Sequence, residues 1–520
     1  MPLDTKDKVA HLLRRAGFAA RPEEIEQGVA KGLPALVDDL VNFEKFPDNL
    51  GPLPNAPAQN GIPPNTSYLD LTTQQYFSVY GSLLNDMQRL WLNAMITTTR
   101  PLQEKMVLFW HGLFATSGAD LDLRHMYLQN EHFRGNFDPN TGRLGRLAAT
   151  HPFPVGNFRN ILENLSKDIA MLFYLDNFLN VKLNADVGSN ENYARELLEL
   201  FSLGVNDPIT GEPNYTEVDV RQASRALTGW TVLFERDDRL IRQFFFNSSA
   251  HDFGPYRVLN RSFSGDGRQL FDIIVNHRNP GQQQSACGRF LGYRLFKFFG
   301  YDDPEPEVIN DLADTFDGVH GGDRYNIRAM LRRIFTPGNP TSEAFYSDKA
   351  FKAHIKSPTE YIVSTFRLLR PTGLANSQLV TQVVLGLRTF SGMIQMGQYL
   401  FFPPNVAGWK EGLDWINTSF NLARCNFANT MATLVQPAQG GIDVHSLLQA
   451  NGLLTNGQLA PAERVVDFFT TLLLQAPVSA QTRQTLINYM NAPGGSTDMI
   501  NMKVRGLLHL IMTMPEFQLS

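Results

Sequence analysis

Apolar residues recur along most of this chain at three- and four-residue spacing, the period of helices with one buried face. Residues 6–17 place Val9, Leu12 and Leu13 on one stripe. A second helix is expected from Pro22, with Glu23 and Glu24 in its first turn and Gly32 as its stop, and a third over 34–43. Residues 46–68, rich in Pro, Asn and Gly, break the period and predict a linker or surface strap. The helical period resumes over 74–98, again from Pro101, and as one helix over 160–180. On the Pro101 helix His111 stands among Leu108, Phe109, Leu113 and Phe114. A histidine so placed is a satisfied core residue or a ligand or proton carrier.

The chain reads as organised around residues 189–230. In the first helix there, Ser189 or Asn190 caps. Tyr193, Ala194, Leu197, Leu198, Leu200 and Phe201 form the apolar arc, and Glu191, Asn192, Arg195 and Glu199 lie opposite. Glu196 falls at the seam, where desolvation raises a carboxyl pKa and a nearby arginine lowers it, the setting of a tuned acid or base. An i,i+4 charge ladder accounts for the same residues without function. The second helix starts at Thr216 with Asp219 closing a capping box, carries Arg221 and Arg225 one turn apart, and ends at Gly229. Those arginines suit a carboxylate or phosphate, or an Arg-to-Glu brace between the two helices, the reading given more weight.

After Trp230 the period changes to that of a β-hairpin, TVLF and LIRQFFF flanking the polar ERDD. His251 and Asp252 follow in a loop, where a carboxylate can orient an imidazole or join it on a divalent metal, and where Asp serves equally as a turn residue. Helices return over 283–299 and 326–335, then from Ser357, Pro358 and Glu360, a capped start. The loop 397–419 carries Trp409 and Trp415, which stack on a sugar or pin the loop to the core. A helix through Leu422, Arg424 and Phe427 follows. The pattern predicts a mainly α, bundle-like protein with a small β-hairpin insertion. Its expected parts are an N-terminal helical module (1–45), the strap (46–70), a central helical domain (71–435) with the hairpin near 230–260, and a C-terminal helical domain (436–520) beyond a break near Gly440.

Composition narrows the classes. A formal net charge of −5 over 520 residues argues against a nucleic-acid binder, and 37 phenylalanines point to a broad aromatic core. Two cysteines, Cys287 and Cys425, are too few for a disulfide framework or a thiolate zinc site. His125, His132 and His151 form no i,i+4 pair, and no HExxH, GxxxxGK[ST] or GxSxG occurs. No apolar leader region and no run of 18 apolar residues is present. The sequence therefore reads as soluble, with no transmembrane segment or export signal. That makes it cytoplasmic by sequence, and periplasmic or extracellular if processed or exported with a partner.

HLLRRAGF at His11, FWHGLFATS at Phe109, NENYARELLELFSLGV at Asn190, YTEVDVRQASRALTGW at Tyr215, HDFG at His251, KSPTEYI at Lys356 and MGQYLFFPPNVAGWKEGLDWIN at Met396 come in an order that resembles one bacterial family, the domain of unknown function number eighteen hundred. The chain departs from that pattern at Gly112 and Leu113, where a second polar residue is common, and at Tyr256 and Arg257, where a lysine is. The resemblance points to His111, Asn192, Arg195, Glu196, Glu199, Arg225, Trp230, His251, Asp252 and Trp409 as motif positions. It implies a gene neighbourhood shared with a sulfatase-like family, number fifteen hundred and one, hence a partner and a pathway at the cell envelope. Two functions follow as expectations. One is a hydrolase acting on an anionic or glycan-type substrate, with His111, Glu196 and His251 catalytic. In it Asn192, Arg195, Arg221, Arg225, Trp230, Trp409 and Trp415 would bind, and His251 with Asp252 would hold a divalent metal. The other is a noncatalytic scaffold or partner of the sulfatase-like protein. Convergence of His251, Asp252 and Glu196 on one cleft separates them.

Overall fold

Proline starts and glycine stops shape the first helices. In the computed structural model, which describes residues 3–48, 50–59, 61–145, 152–182, 189–234, 240–370, 392–433, 442–476, 478–493 and 500–520, α1 (Thr5–Arg15) is capped by Asp4, whose carboxylate accepts from the Asp7 N–H at 2.8 Å. α2 (Pro22–Lys31) opens on its proline and stops at Gly32, and α3 (Leu33–Val41) follows at once. The strap lies down on the body, with Ala56 and Ile62 buried and Asn55 bridged to Ser67.

α4 (Thr73–Thr97), α5 (Pro101–Leu113) and α6 (Leu123–Arg134) pack together around buried charge. Arg134 grips Glu104 through two bonds of 2.8 and 3.0 Å and Glu131 through one of 2.5 Å. A minimal hairpin, β1 (Phe137–Asp138) with β2 (Arg143–Leu144), leads on. The single helix expected over 160–180 is instead two, α7 (Phe158–Leu165) and α8 (Ile169–Tyr174), followed by a 3-10 turn. Asp168 makes the break: its carboxylate accepts from the Met171 N–H at 3.1 Å as a new N-cap and also meets His132 Nδ1 at 2.8 Å.

α9 (Asn192–Glu199) and α10 (Glu217–Ala226) pack side by side, α10 with the Thr216/Asp219 capping box in place. β3 (Trp230–Val232) pairs with β4 (Phe244–Phe246) as the alternation predicts, while the ERDD turn lies outside the described residues, as do His151 and the break near Gly440. A further hairpin, β5 (Tyr256–Val258) with β6 (Arg261–Phe263), had no expected counterpart. Asn260 at its turn, φ +62°, is the residue type that tolerates a left-handed backbone.

A second helical group follows: α11 (Gln269–Asn276), α12 (Ala286–Phe299), α13 (Pro306–Phe316), α14 (Ile327–Phe335) and α15 (Pro340–Phe345). Gly292 lets α12 lie hard against α13, since a Cβ there would stand 3.1 Å from the Ile309 carbonyl. α16 (Pro358–Leu369) is capped by Ser357 and Glu360 as expected. Beyond the Trp loop come α17 (Thr418–Thr433), α18 (Val444–Ala450), the hairpin β7 (Leu454–Thr455) with β8 (Gln458–Leu459), α19 (Ala462–Leu474), α20 (Ala480–Asn491), α21 (Arg505–Thr513) and α22 (Pro515–Gln518). The fold is mainly α with small antiparallel hairpins.

One apolar core runs from Val9 to Phe517. Arg15, buried on α1, donates to the carbonyls of Phe298 at 2.9 Å and Phe299 at 2.7 Å, tying the first helix to the end of α12. Cys287 and Cys425 are free thiols. Among the described residues no helix is long and apolar enough to cross a membrane.

Candidate functional site

The charged faces of α9 and α10 meet as a brace. Arg195 grips Glu217 through two bonds of 2.6 and 2.8 Å and stands 3.6 Å from Glu191, so the arginine comes from the first helix and the carboxylate from the second. Arg221 and Asn192 are exposed; the residue at the N-cap of α9 is Glu191, in place of the expected Ser189 or Asn190, and the Asn190 side chain accepts from the Asn192 N–H at 3.0 Å. Glu196 is half-buried. Burial, then the charge of Glu199, push its carboxyl pKa up against the opposing pull of Arg195.

Arg225 turns away from the acidic helix. It donates to Asp252 at 2.8 Å and to Gln222 at 2.9 Å, so the His-Asp loop is bound to α10. Burial works to raise the Asp252 carboxyl, but the Gly254 N–H and the Arg225 guanidinium outweigh it and hold it below its ordinary range. His251 is buried, with Nδ1 2.6 Å from the Thr228 carbonyl and Nε2 2.7 Å from the Gly265 carbonyl and 3.1 Å from the Tyr256 hydroxyl. Both ring nitrogens are thus committed to protein oxygens. A metal on His251 and Asp252 would have to displace those bonds, and among the described residues no group of three or more His, Cys, Asp or Glu is placed to hold one. The donor set does not fit a metal centre. Trp230 is core, its Nε1 donating to the Asp266 carbonyl at 2.9 Å.

His111 lies elsewhere. Its ring sits 5.2 Å from Trp91, 5.5 Å from Phe401 and 5.2 Å from Trp409 between centroids, and its Nε2 accepts from the Phe401 N–H at 3.1 Å. Burial pushes its pKa down to about 3, so it is neutral at pH 7 and serves as a buried acceptor. No hydrogen bond or ion pair joins Glu196 or His111 to the Arg225–Asp252 pair. Arg225, His251 and Asp252 are thus linked, through the Arg225–Asp252 contact and through Thr228, and neither Glu196 nor His111 is bonded to them.

Trp409 marks a different pocket, a narrow one of about 60 Å³, and Trp415 lines it too. The loop bearing both tryptophans is pinned at two glycines with positive φ, Gly408 (+81°) and Gly412 (+61°). A Cβ on Gly408 would overlap the Gly112 carbonyl of α5, and one on Gly412 would overlap the Asp302 carboxylate. Gly112, one of the departures from the family pattern, is thus the seat of the loop. α12 supplies Arg294 and Lys297 to the wall, and the loop supplies Lys410 and Glu411.

The floor holds His354, Ser357 and Glu360. Glu360 is buried, with one carboxylate oxygen against Lys105 and the other 3.2 Å from His354 Nε2 and 2.8 Å from the Ser357 N–H. Burial alone would raise its pKa; the charge of Lys105, with the hydrogen bond from His354, holds the carboxyl well below its ordinary value. Burial and then Arg15 lower the His354 pKa, leaving a neutral imidazole whose Nε2–H points at an ionised carboxylate. Nδ1 keeps its lone pair and has no hydrogen bond to a described residue.

Three of the motifs that carried the family resemblance line this pocket: Phe109 and Gly112, Ser357 and Glu360, and Gln398 with Trp409 to Trp415. Sequence reasoning missed Arg294, Lys297, Asp302, His354 and Glu411 as site residues, and treated Glu360 as a cap alone. No local signal marks them: Lys105, the partner of Glu360, follows Gln103 and Glu104 and reads as part of an ordinary polar turn of α5.

The chain belongs to a family defined only as protein of unknown function (DUF1800), whose family model matches residues 11–519. No curated protein and no solved structure matches it.

Proposed function

We propose that this protein is an envelope-associated hydrolase that cleaves an ester on an anionic, glycan-type substrate in the Trp409 pocket. The observation that carries the reading is His354 at the pocket floor, oriented through Nε2 by Glu360 with Nδ1 left as the base. Water gives a proton to Nδ1 and its oxygen bonds to the acyl carbon. The carbon–alkoxide bond breaks, and the alkoxide takes the proton back from Nδ1, leaving acid, alcohol and unchanged enzyme. Arg294 and Lys297 supply positive charge to the same pocket, and Trp409 supplies an aromatic wall for a sugar ring.

The test is acetate release from acetylated polygalacturonate by wild type and His354→Gln. Loss of the base is expected to lower kcat by about 100-fold or more with little change in KM. Wild-type activity should also fall on the acid side of the ordinary histidine range, because protonation removes the Nδ1 lone pair. Equal turnover by the two proteins would sink the assignment of His354.

A noncatalytic partner of the sulfatase-like protein is the second reading. The observation that favours it is the apolar rim beside Trp415, where Leu413 is 78% exposed. Co-purification with that partner, undiminished in Leu413→Asp, would count against this interface.

A further inference from the structure

We infer that Glu411 is a built-in stand-in for the anionic group of the ligand, and that the ligand is a pyranose bearing an oxyanion substituent, carboxylate or sulfate, which displaces Glu411 from Arg294 and Lys297. The inference rests on the reading of the Trp409 pocket as the ligand site.

Arg294 and Lys297 stand three residues apart on α12 and so share a face, with side chains 27% and 25% exposed. Each reaches one charged partner, Glu411: Arg294 Nη2 is 3.8 Å from Oε1 and Lys297 Nζ is 3.4 Å from Oε2. Neither contact is a hydrogen bond, and neither cation donates to any described residue.

Several Arg–carboxylate pairs elsewhere in this chain are tight, while Arg100–Asp48 at 3.7 Å, Arg367–Glu24 at 3.6 Å and Arg268–Glu163 at 3.7 Å are about as loose as Arg294–Glu411. Arg195 meets Glu217 at 2.6 and 2.8 Å, Arg333 meets Asp311 at 2.8 and 2.6 Å, and Arg483 meets Asp467 at 2.6 and 2.7 Å, each through two bonds. Glu411 instead straddles two cations at charge-contact distance, which offsets one of their two positive charges and leaves their N–H groups to bond something else. An oxyanion that enters the pocket offers two or three acceptor oxygens at hydrogen-bond distance and replaces a loose contact with a tight one.

The loop permits the exchange. Glu411 lies between Gly408 and Gly412, both seated against neighbouring elements, so its side chain can swing outward while the backbone stays docked. Lys410 adds a third cation on the same loop. Trp409, two residues away, lines the pocket, and the joint demand of aromatic ring and charge specifies a carboxylated or sulfated sugar over a free inorganic anion.

The experiment measures binding by tryptophan fluorescence and calorimetry, with three probes: a galacturonate oligosaccharide, a sulfated galactose oligosaccharide and the neutral galactose oligosaccharide. Wild type should bind one or both anionic probes at least tenfold more tightly than the neutral one. Glu411→Gln, close to isosteric, should tighten the anionic probe a further fivefold or more and leave the neutral probe within twofold. Arg294→Met with Lys297→Met should lose the anionic preference, and Lys410→Ala should lose less of it. Thermal unfolding of each variant separates loss of binding from loss of fold. Weaker or unchanged anion binding in Glu411→Gln would overturn the inference and make Glu411 a structural brace. Failure of both anions to bind would overturn it too. Anion binding with the Glu411 effect but no acetate release leaves the subsite standing and removes the hydrolase, whereas turnover with no Glu411 effect does the reverse.

Discussion

Replacing His111 by glutamine turns the burial of a neutral imidazole into a measurable pH dependence. The ring is enclosed by Trp91, Phe401 and Trp409 and takes the Phe401 N–H, so a proton on it would be buried. Its pKa is near 3 in the folded state against an ordinary 6.5. A depressed histidine pKa means that the unfolded chain binds the extra proton first. The stabilisation is therefore complete above the unfolded pKa and is lost as the pH falls from 6.5 toward the folded value. Each pH unit in that window is worth about 1.4 kcal/mol, so from pH 7.5 to pH 5 the wild type gives up about 2 kcal/mol through this residue alone. Glutamine can still accept the Phe401 N–H but does not titrate. At pH 7.5 the variant is expected to be about 1–3 kcal/mol less stable from lost ring packing. At pH 5 that gap should have closed by about 2 kcal/mol. Urea unfolding of both proteins at the two pH values gives the comparison, and the other buried histidines cancel in the difference. A gap that stays constant across the range would refute the claim that His111 is buried and neutral.

Two further outcomes follow from the pocket walls. Lys105→Met leaves Glu360 buried without its principal counter-charge and should destabilise the fold by about 3–5 kcal/mol in urea unfolding, with the Lys105→Met, Glu360→Gln pair recovering much of that; recovery of none would show that the two do not act as a pair. Gly408→Ala adds a Cβ into the Gly112 carbonyl at a left-handed backbone position, at a cost of about 1–3 kcal/mol, and should red-shift Trp409 emission as the loop lifts. An unshifted spectrum would mean that the loop is not seated on α5.

What could be read from the sequence was what is local. Pro22 and Gly32 bound a helix because proline fits a first turn and glycine reaches a positive φ, and Thr216 with Asp219 closes a box within four residues. The 160–180 segment was misread because its break is made by tertiary structure, Asp168 answering both its own helix and His132 on α6. The Lys105–Glu360 pair is hidden from the sequence for the same reason. Glu360 obeys the cap rule, yet its second oxygen pairs with Lys105 across 255 residues, and no local pattern announces such a partner. The density of charge on α9 and α10 drew attention there because like residues cluster in sequence. In the folded chain that charge is spent on a brace and on the Arg225–Asp252 contact, while the pocket takes single residues from distant segments.

The Trp pocket also sets a schedule. Its walls run from Leu108 to Trp415, so roughly 300 residues must be made after the first wall before the last exists. At about 5–20 residues per second, synthesis leaves α5 without its covering loop for roughly 15 to 60 s. Through that interval the apolar faces of Leu108, Phe109 and Leu113 have no Trp409 to lie against, and for its first part, until α12 (Ala286–Phe299) is made, no α12 either. The pocket thus closes in one late step, and a chain stalled anywhere before residue 415 carries an exposed half of it.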